Sequence, residues 1–255
     1  MKSKLIYRLA AASLLILSAF SVAASEPQIT VIDDSIPWEV TSTGDEIGDV
    51  STWRREVPGA DVKQFRGEII IEQPVLAVLL TIDTPEDLHK WVYFCRASAA
   101  VPPDYSYMEY KGVWPVASRY VTVKSKSWIE NDVIYISTRN IDDAGPEHDN
   151  MVKLREFHNL FEITPLGEKL TKIRFTTFVD LAGRLPSWLA NAVSSRAPYV
   201  TLSGMRDLLE DSDRDFDDAT VYDLSDIAQD KEGLLALIEK IDEIDDSDPL
   251  DPNDD

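Results

Sequence analysis

Between Lys172 and Leu209 a strictly alternating stretch runs directly into a long apolar one. In KIRFTTFVD, Ile173, Phe175, Thr177 and Val179 fall on one side of an extended chain, and Lys172, Arg174 and Thr176 on the other. This is the period-2 pattern of a half-buried strand. After Gly183 the period changes. Leu185, Trp188, Leu189, Ala192, Val193, Tyr199 and Val200 recur at helical spacing, with Pro186 placed as a first helical residue. The stripe keeps one face up to Val200, whereas Leu202, Met205, Leu208 and Leu209 fall on another. Pro198 lies where the two faces part, and its missing N–H predicts a kink there. The expectation is a hinged helix whose first half lines or lids a cavity and whose second half packs elsewhere on the domain.

Upstream, the pattern predicts strands at Ser51–Val57 and Phe65–Glu72. A helix follows in PVLAVLLTID from Pro74, and another in TPEDLHKWV, capped by Thr84 with Pro85 at its first position. Strand-like runs then follow at Tyr93–Ala99, Tyr105–Lys111, Arg119–Ile129, Val133–Asn140, Val152–Thr164 and Leu170–Asp180. They are separated by turn signals at Pro102-Pro103, Trp114-Pro115, Glu130-Asn131-Asp132, Asp142–Asn150 and Pro165-Leu166-Gly167. No internal repeat is evident. The fold class implied is α+β: an antiparallel meander closed by a long C-terminal helix, over a span large enough for one core.

The first residues change the compartment. Lys2, Lys4 and Arg8 precede an apolar run from Leu9 to about Phe20, and small residues follow at Ser21, Ala23 and Ala24. This is the plan of a cleavable export signal over residues 1–24, and the run is too short for a spanning helix. It implies a periplasmic or secreted protein. Residues 25–37 read as a linker. Cys95, the single cysteine, leaves no internal disulfide, so packing alone must hold the fold; its setting in WVYFCR reads as a buried, inert thiol.

The formal charge of −21 is unevenly spread. From Asp207 onward there are 20 acidic and 3 basic residues, so the acidity belongs to a tail, residues 211–255. The tail's middle holds Leu234, Leu235, Leu237, Ile238, Ile241 and Ile244 at helical spacing, between solvated or disordered ends. An acidic balance argues against nucleic-acid binding, which needs a basic face.

A search for catalytic signatures finds few. His89, His148 and His158 have no metal-ligand spacing, and no nucleophile elbow, phosphate loop or dinucleotide fingerprint is present. The run Asp211, Asp213, Asp215, Asp217 fails as a calcium loop, because Phe216 and Tyr222 stand where glycine and glutamate are required. Three charges fall in apolar surroundings: Arg196 within the helix stripe, and Glu109 and Arg119 on neighbouring strands. A buried charge needs a partner, which a Glu109–Arg119 pair or a ligand's polar head would supply.

Four segments carry a family resemblance: WRREVPGADVKQFRGEIIIEQPVLAVLLTI, WVYFCRAS, YKGVWPVASRYV and LFEITPLGEKLTKIRFTTFVDLAGRLPSWLANAVSSRAPYVTLSGMRDLL. Together they resemble the bacterial START (StAR-related lipid-transfer) domains over residues 38–209, most specifically through FRGE, WPV and GRLPSWLAN. The resemblance implies a helix-grip fold over 38–210, in which a curved antiparallel sheet wraps a long C-terminal helix, with a hydrophobic tunnel between them. It also implies non-catalytic binding of a lipid or other hydrophobic ligand, no cofactor, a monomer, and at most transient membrane contact. Members commonly follow WPV with an Arg-Asp pair; here Arg119 is followed by Tyr120, which puts that local salt bridge in doubt. Phe161 stands where many members place tryptophan, an exchange of packing aromatics.

On this reading the ligand-binding residues are strand positions Tyr107, Glu109, Arg119, Val121, Val123, Phe175 and Thr177. From the helix come Trp188, Leu189, Ala192, Val193, Arg196 and Val200. Two other classes compete. One is a helix-grip enzyme of cyclase or hydrolase type, built for instance on Glu109 with His158. The other is an interaction module acting through the acidic tail.

Overall fold

The computed structural model describes residues 35–242 except 113, 115, 184, 212–215, 217–218 and 225–229. The export signal, residues 25–34 of the linker, most of the Asp211–Asp217 run and the tail from 243 on, with Ile244, lie outside the described residues.

Ten strands join in one open sheet. In chain order they are β1 (Glu39–Ser42), β2 (Ser51–Arg55), β3 (Gln64–Ile71), β4 (Cys95–Val101) and β5 (Tyr105–Tyr110). After these come β6 (Arg119–Glu130), β7 (Val133–Asn140), β8 (Val152–Lys153), β9 (Glu156–Gly167) and β10 (Leu170–Asp180). Across the sheet the order is β1-β2-β3-β10-β9-β7-β6-β5-β4, antiparallel throughout, with the short β8 added in parallel beside β6. The alternation read in KIRFTTFVD is realised in β10, which lies between β3 and β9 and buries Ile173, Phe175 and Thr177.

Local chemistry explains the turns. Asn131 and Asp132 both take positive φ (52° and 63°), making the two-residue turn that matches the twist between β6 and β7. The reversal expected at Pro165-Leu166-Gly167 falls later, at Glu168-Lys169. Pro165 pairs with Thr171 inside the ladder, so β9 runs on to Gly167. Thr84 does stand before the 3-10 turn Pro85–Asp87, but its hydroxyl donates back to the Leu80 carbonyl (2.7 Å) rather than capping that turn.

Helices cover the concave face. Helix α1 (Val75–Ile82) is apolar on nearly every side and is buried accordingly; the single turn α2 (Leu88–Trp91) follows it. The C-terminal helix is in two pieces, α3 (Ser187–Ser194) and α4 (Ala197–Glu210), parted at Ser195-Arg196. Pro198, at the start of α4, cannot donate the hydrogen bond that would carry α3 onward. The sheet and these helices form the helix-grip architecture expected from the sequence.

Two glycines set how closely α4 sits. A Cβ on Gly67 in β3 would lie 2.8 Å from Pro198 Cβ and 2.9 Å from Leu202 Cδ1; one on Gly204 would lie 2.8 Å from the Trp91 carbonyl oxygen. Helix α4 therefore rests directly on β3 and against α2, burying Leu202, Met205 and Leu209.

The packed unit continues past Glu210. Helix α5 (Lys231–Asp242), within the segment read as an acidic tail, lies against β9 and buries Leu234, Leu237 and Ile241. Leu234 and Leu224 line a small void together with Leu79, Ile129 and Ile134, and Lys240 pairs with Asp132 in the β6–β7 turn.

On the convex face His158 lies edge-on to Phe178, with ring centroids 6.1 Å apart. Burial, helped by nearby Arg139, pushes its pKa down to about 4.

Three measurements test this packing. Gly67→Ala should lower stability by about 1–3 kcal/mol in urea unfolding, because the new methyl overpacks the α4 contact. Leu234→Ala should cost about 2–5 kcal/mol, a result incompatible with a detached tail. As pH falls from 6.5 toward 4, the unfolded chain protonates His158 while the folded one does not, so the native state loses stability over that window. The urea midpoint of His158→Phe should accordingly gain on that of wild type as the pH is lowered.

Candidate functional site

One line of polar side chains crosses the largely apolar concave face of the sheet. Ser125 of β6 faces Thr138 of β7, Thr138 faces Asn159 of β9, and Asn159 faces Thr177 of β10. Because side chains alternate along a strand, register alone brings these four onto one face in one row. The Ser125 and Thr138 hydroxyls are 3.0 Å apart. Aromatic residues flank the row. Phe161 and Phe175 stack at 4.5 Å between centroids, and Trp91 meets Phe161 edge-on at 6.2 Å.

Above this surface is a cavity of about 440 Å³. Its walls are the middle of the sheet; its cover is the end of α1, the Pro85-Glu86 turn, α2, Thr201 of α4 and the β4–β5 hairpin with its cis Pro102–Pro103 bond. Buried Val123, Phe157, Phe161 and Phe175 form the deep part, while exposed Glu86, Ala100, Pro102 and Pro103 mark the mouth. The volume and mixed lining suit a small-molecule pocket.

The ionisable side chains on the lining are acidic, Asp83, Glu86 and Asp104, apart from the phenol of Tyr105; none of the described lining residues is Lys, Arg, His or Cys. Asp104 is paired with Lys124 at 3.0 Å through one oxygen. Three buried polar atoms of the lining have no protein partner: Trp91 Nε1, Asn159 Oδ1 and Asp104 Oδ1.

Of the residues singled out from the sequence, the structure places Val123 and Phe175 on the cavity. Val121 and Thr177 share that face of the sheet but are packed in rather than lining the space. Tyr107 and Glu109 point the opposite way, because their neighbours Ser106 and Met108 face the cavity. On the convex side the Tyr107 hydroxyl donates to Glu109 Oε1 (3.0 Å) and lies 2.6 Å from His148 Nε2. Arg96 pairs with Glu109 at 2.8 Å. Burial alone would raise the Glu109 carboxyl, but its bonds to Arg96 and Tyr107 hold it below the ordinary range.

A Glu109–Arg119 pair is therefore absent. Glu109 faces Tyr120 and Arg119 faces Tyr110 in the ladder, and adjacent register positions present opposite faces. Buried Arg119 instead donates to the carbonyls of Leu181 and Ala117. Nor does Glu109 meet His158, since β6 and β7 stand between their strands.

The helix residues are also placed differently from expectation. Trp188 is 69% exposed, Ala192 and Arg196 are exposed, and Leu189, Val193 and Val200 are half-buried; none lines the cavity. Helix α3 is held at its loop side by Asn191, whose Oδ1 accepts from the Lys63 N–H (2.7 Å) and whose Nδ2 donates to the Asp61 carbonyl. The chain turns at Ser195-Arg196, ahead of Pro198, with its dihedrals still in the helical region, and α4 rather than α3 reaches the pocket, through Thr201.

Sequence reasoning missed Trp91, Ser125, Thr138 and Asn159 as lining residues. For Asn159 a signal existed: it interrupts the apolar phase Phe157, Phe161, Ile163 of one strand. Cys95 is buried, and burial pushes its thiol up to about 12, leaving it inert at neutral pH.

Comparison with known proteins bears on the fold. No family model matches the chain. An uncharacterized protein of Pseudomonas aeruginosa is 25% identical over 171 residues, covering 65% of this chain and 84% of that protein. Among solved structures, a STAR-related lipid transfer protein from Xanthomonas axonopodis superposes with a TM-score of 0.61 at 20% identity, covering 68% of this chain and 98% of that one. Human STARD10 gives 0.58 at 17% identity, over 68% and 73% of the two chains. Human StAR-related lipid transfer protein 5 gives 0.58 at 16%, over 70% and 88%. The strand order, the C-terminal helix laid across the concave sheet and these superpositions agree: this chain has the fold of the StAR-related lipid-transfer (START) domains.

Proposed function

We propose that this protein is an exported, non-catalytic carrier of a hydrophobic ligand, a lipid, held in the cavity between the sheet and its helical cover. The observation that carries the reading is the cavity itself: about 440 Å³ inside the domain, floored by Val123, Phe157, Phe161 and Phe175. Each methylene moved from water into such a space gains about 0.8 kcal/mol, so one alkyl chain suffices for tight binding without a charged contact. The lining holds no base or nucleophile paired as general acid–base or covalent catalysis requires. The lipid-transfer names of the Xanthomonas and human structures of this fold support a lipid rather than another apolar molecule. Export rests on the basic, apolar and small-residue sequence of residues 1–24. The exposed indoles of Trp114 and Trp188 favour brief contact with a bilayer during loading and release, since indole rings partition to the membrane interface.

Native mass spectrometry of protein purified without detergent should find co-purified lipid, and the delipidated protein should take up a fluorescent alkyl probe. Thr138→Trp, which projects a large ring into the cavity, should weaken uptake at least about tenfold. Trp188→Ala should leave equilibrium uptake unchanged, because that side chain lies outside the cavity. A protein that is consistently lipid-free and takes up no probe would sink the proposal.

A further inference from the structure

We infer that residues 85–92 form a lid over the cavity, seated on α4 at Trp91 and latched to the edge strand β4 by the hydroxyl of Ser98. The inference rests on the cavity reading and adds the route by which an occupant enters and leaves. Pro85, Glu86, Leu88, Trp91 and Val92 of this segment all border the cavity.

The two edges of the segment are held differently. On the inner edge the fit is tight. The Trp91 carbonyl lies against Gly204, where a Cβ would come within 2.8 Å of its oxygen, and the Tyr93 N–H donates to Thr201 Oγ1 (3.2 Å). On the outer edge the segment meets β4, the last strand of the sheet. There the cavity-facing residues of β4 are Ser98 and Ala100, because their cross-strand partners Met108 and Ser106 both line the cavity. Side chains this small offer little apolar surface, so polar contacts must hold the outer edge.

Ser98 supplies them. Its hydroxyl donates to the Glu86 carbonyl (3.2 Å) and accepts from the His89 N–H (3.0 Å). His89 Nδ1 lies 2.7 Å from the same carbonyl, which can only accept, so Nδ1 carries the proton and donates. One serine therefore ties both the 3-10 turn and α2 to the strand. The latch stands beside the mouth, since Glu86 and Ala100 are exposed lining residues. Pro85 and Leu88 border cavity volume on their inner side, whereas Leu202 and Met205 of α4 are fully buried in the core. Solvent-exposed hydrogen bonds and few packed apolar contacts mark the parts of a fold that open most readily. Opening at the Ser98 edge thus costs less than lifting α4 from the sheet.

Release kinetics of a bound probe test the latch. A fluorescent alkyl probe is loaded into the delipidated full-length protein, and its release to excess phosphatidylcholine vesicles is followed by stopped flow. Ser98→Ala should release the probe about three- to tenfold faster, the range expected from losing a neutral hydrogen-bonded contact. Its equilibrium affinity should stay within about twofold of wild type, because the latch closes the empty and the loaded protein alike. Ser98→Thr, which keeps the hydroxyl, should release at the wild-type rate. Asn191→Ala, which unties α3 from Asp61 and Lys63, should not speed release. Hydrogen exchange of the lipid-free protein reads the lid without a ligand: peptides over 85–92 should exchange faster in Ser98→Ala, and those over α1 should not. Wild-type release from Ser98→Ala overturns the assignment, and so does equal acceleration in Ser98→Thr. Acceleration in Asn191→Ala alone, or a rise in exchange shared equally by α1, overturns it as well. Failure of wild type to bind the probe would instead remove the cavity reading, while the exchange measurement still decides whether Ser98 holds the lid.

Discussion

The contact on which the rest of this structure depends is that between α4 and the sheet at Gly67. With no side chain at Gly67, Pro198 and Leu202 settle on the backbone of β3, and Gly204 allows the same helix to close against Trp91. The helix is thereby fixed against β3 at one side of the sheet, and it covers only part of the concave surface. The rest is roofed by α2 and the β4–β5 hairpin, which stand off the strands beneath them. An apolar volume of about 440 Å³ is the geometric result. Full collapse of the roof is opposed by the bulk already wedged there, Trp91 against Phe161 and Phe161 against Phe175.

The sheet separates two kinds of polar chemistry by face. On the convex side, charges are paired along the strands and across to the 141–153 loop: Arg174 with Glu68, Arg96 with Glu109, and Lys153 with Glu147. These pairs are partly solvated, and their individual contributions to stability are modest. On the concave side a neutral cross-strand row of Ser125, Thr138, Asn159 and Thr177 crosses the floor of the cavity, and the acidic groups Asp83, Glu86 and Asp104 lie on its cover and rim. An uncharged row within an aromatic surround can orient a ligand without the desolvation cost that a buried ion pair carries. The division follows from strand alternation, which is why Tyr107 and Glu109 belong to the outside and Met108 and Ser106 to the inside.

The final third of the chain shows how secondary structure and role come apart. The kink near Pro198 was legible because a proline removes a backbone donor wherever it sits. Which half of the helix would be buried was not. The stripe of Trp188, Leu189 and Val193 is as apolar as that of Leu202, Met205 and Leu209, and the choice between them was made by Gly67, 121 residues before Trp188, and by Gly204 within α4 itself. Likewise the helical spacing of Leu234, Leu237 and Ile241 was legible after Glu210, but that this helix completes the core was not, because its partners lie on β9 rather than nearby in the chain.

The sequence by itself determined the alternation of most strands, the apolar character of α1, the break in the C-terminal helix and the family of fold they compose. All of these rest on local periodicity or on backbone chemistry. Tertiary structure decided which face of each strand looks inward, where a cavity remains, and that Trp91 and Asn159, 68 positions apart, share one wall of it. The physical reason is register. A shift of one residue in strand pairing exchanges inside for outside along the whole strand, and pairing is set by partners distant in sequence that no local pattern identifies.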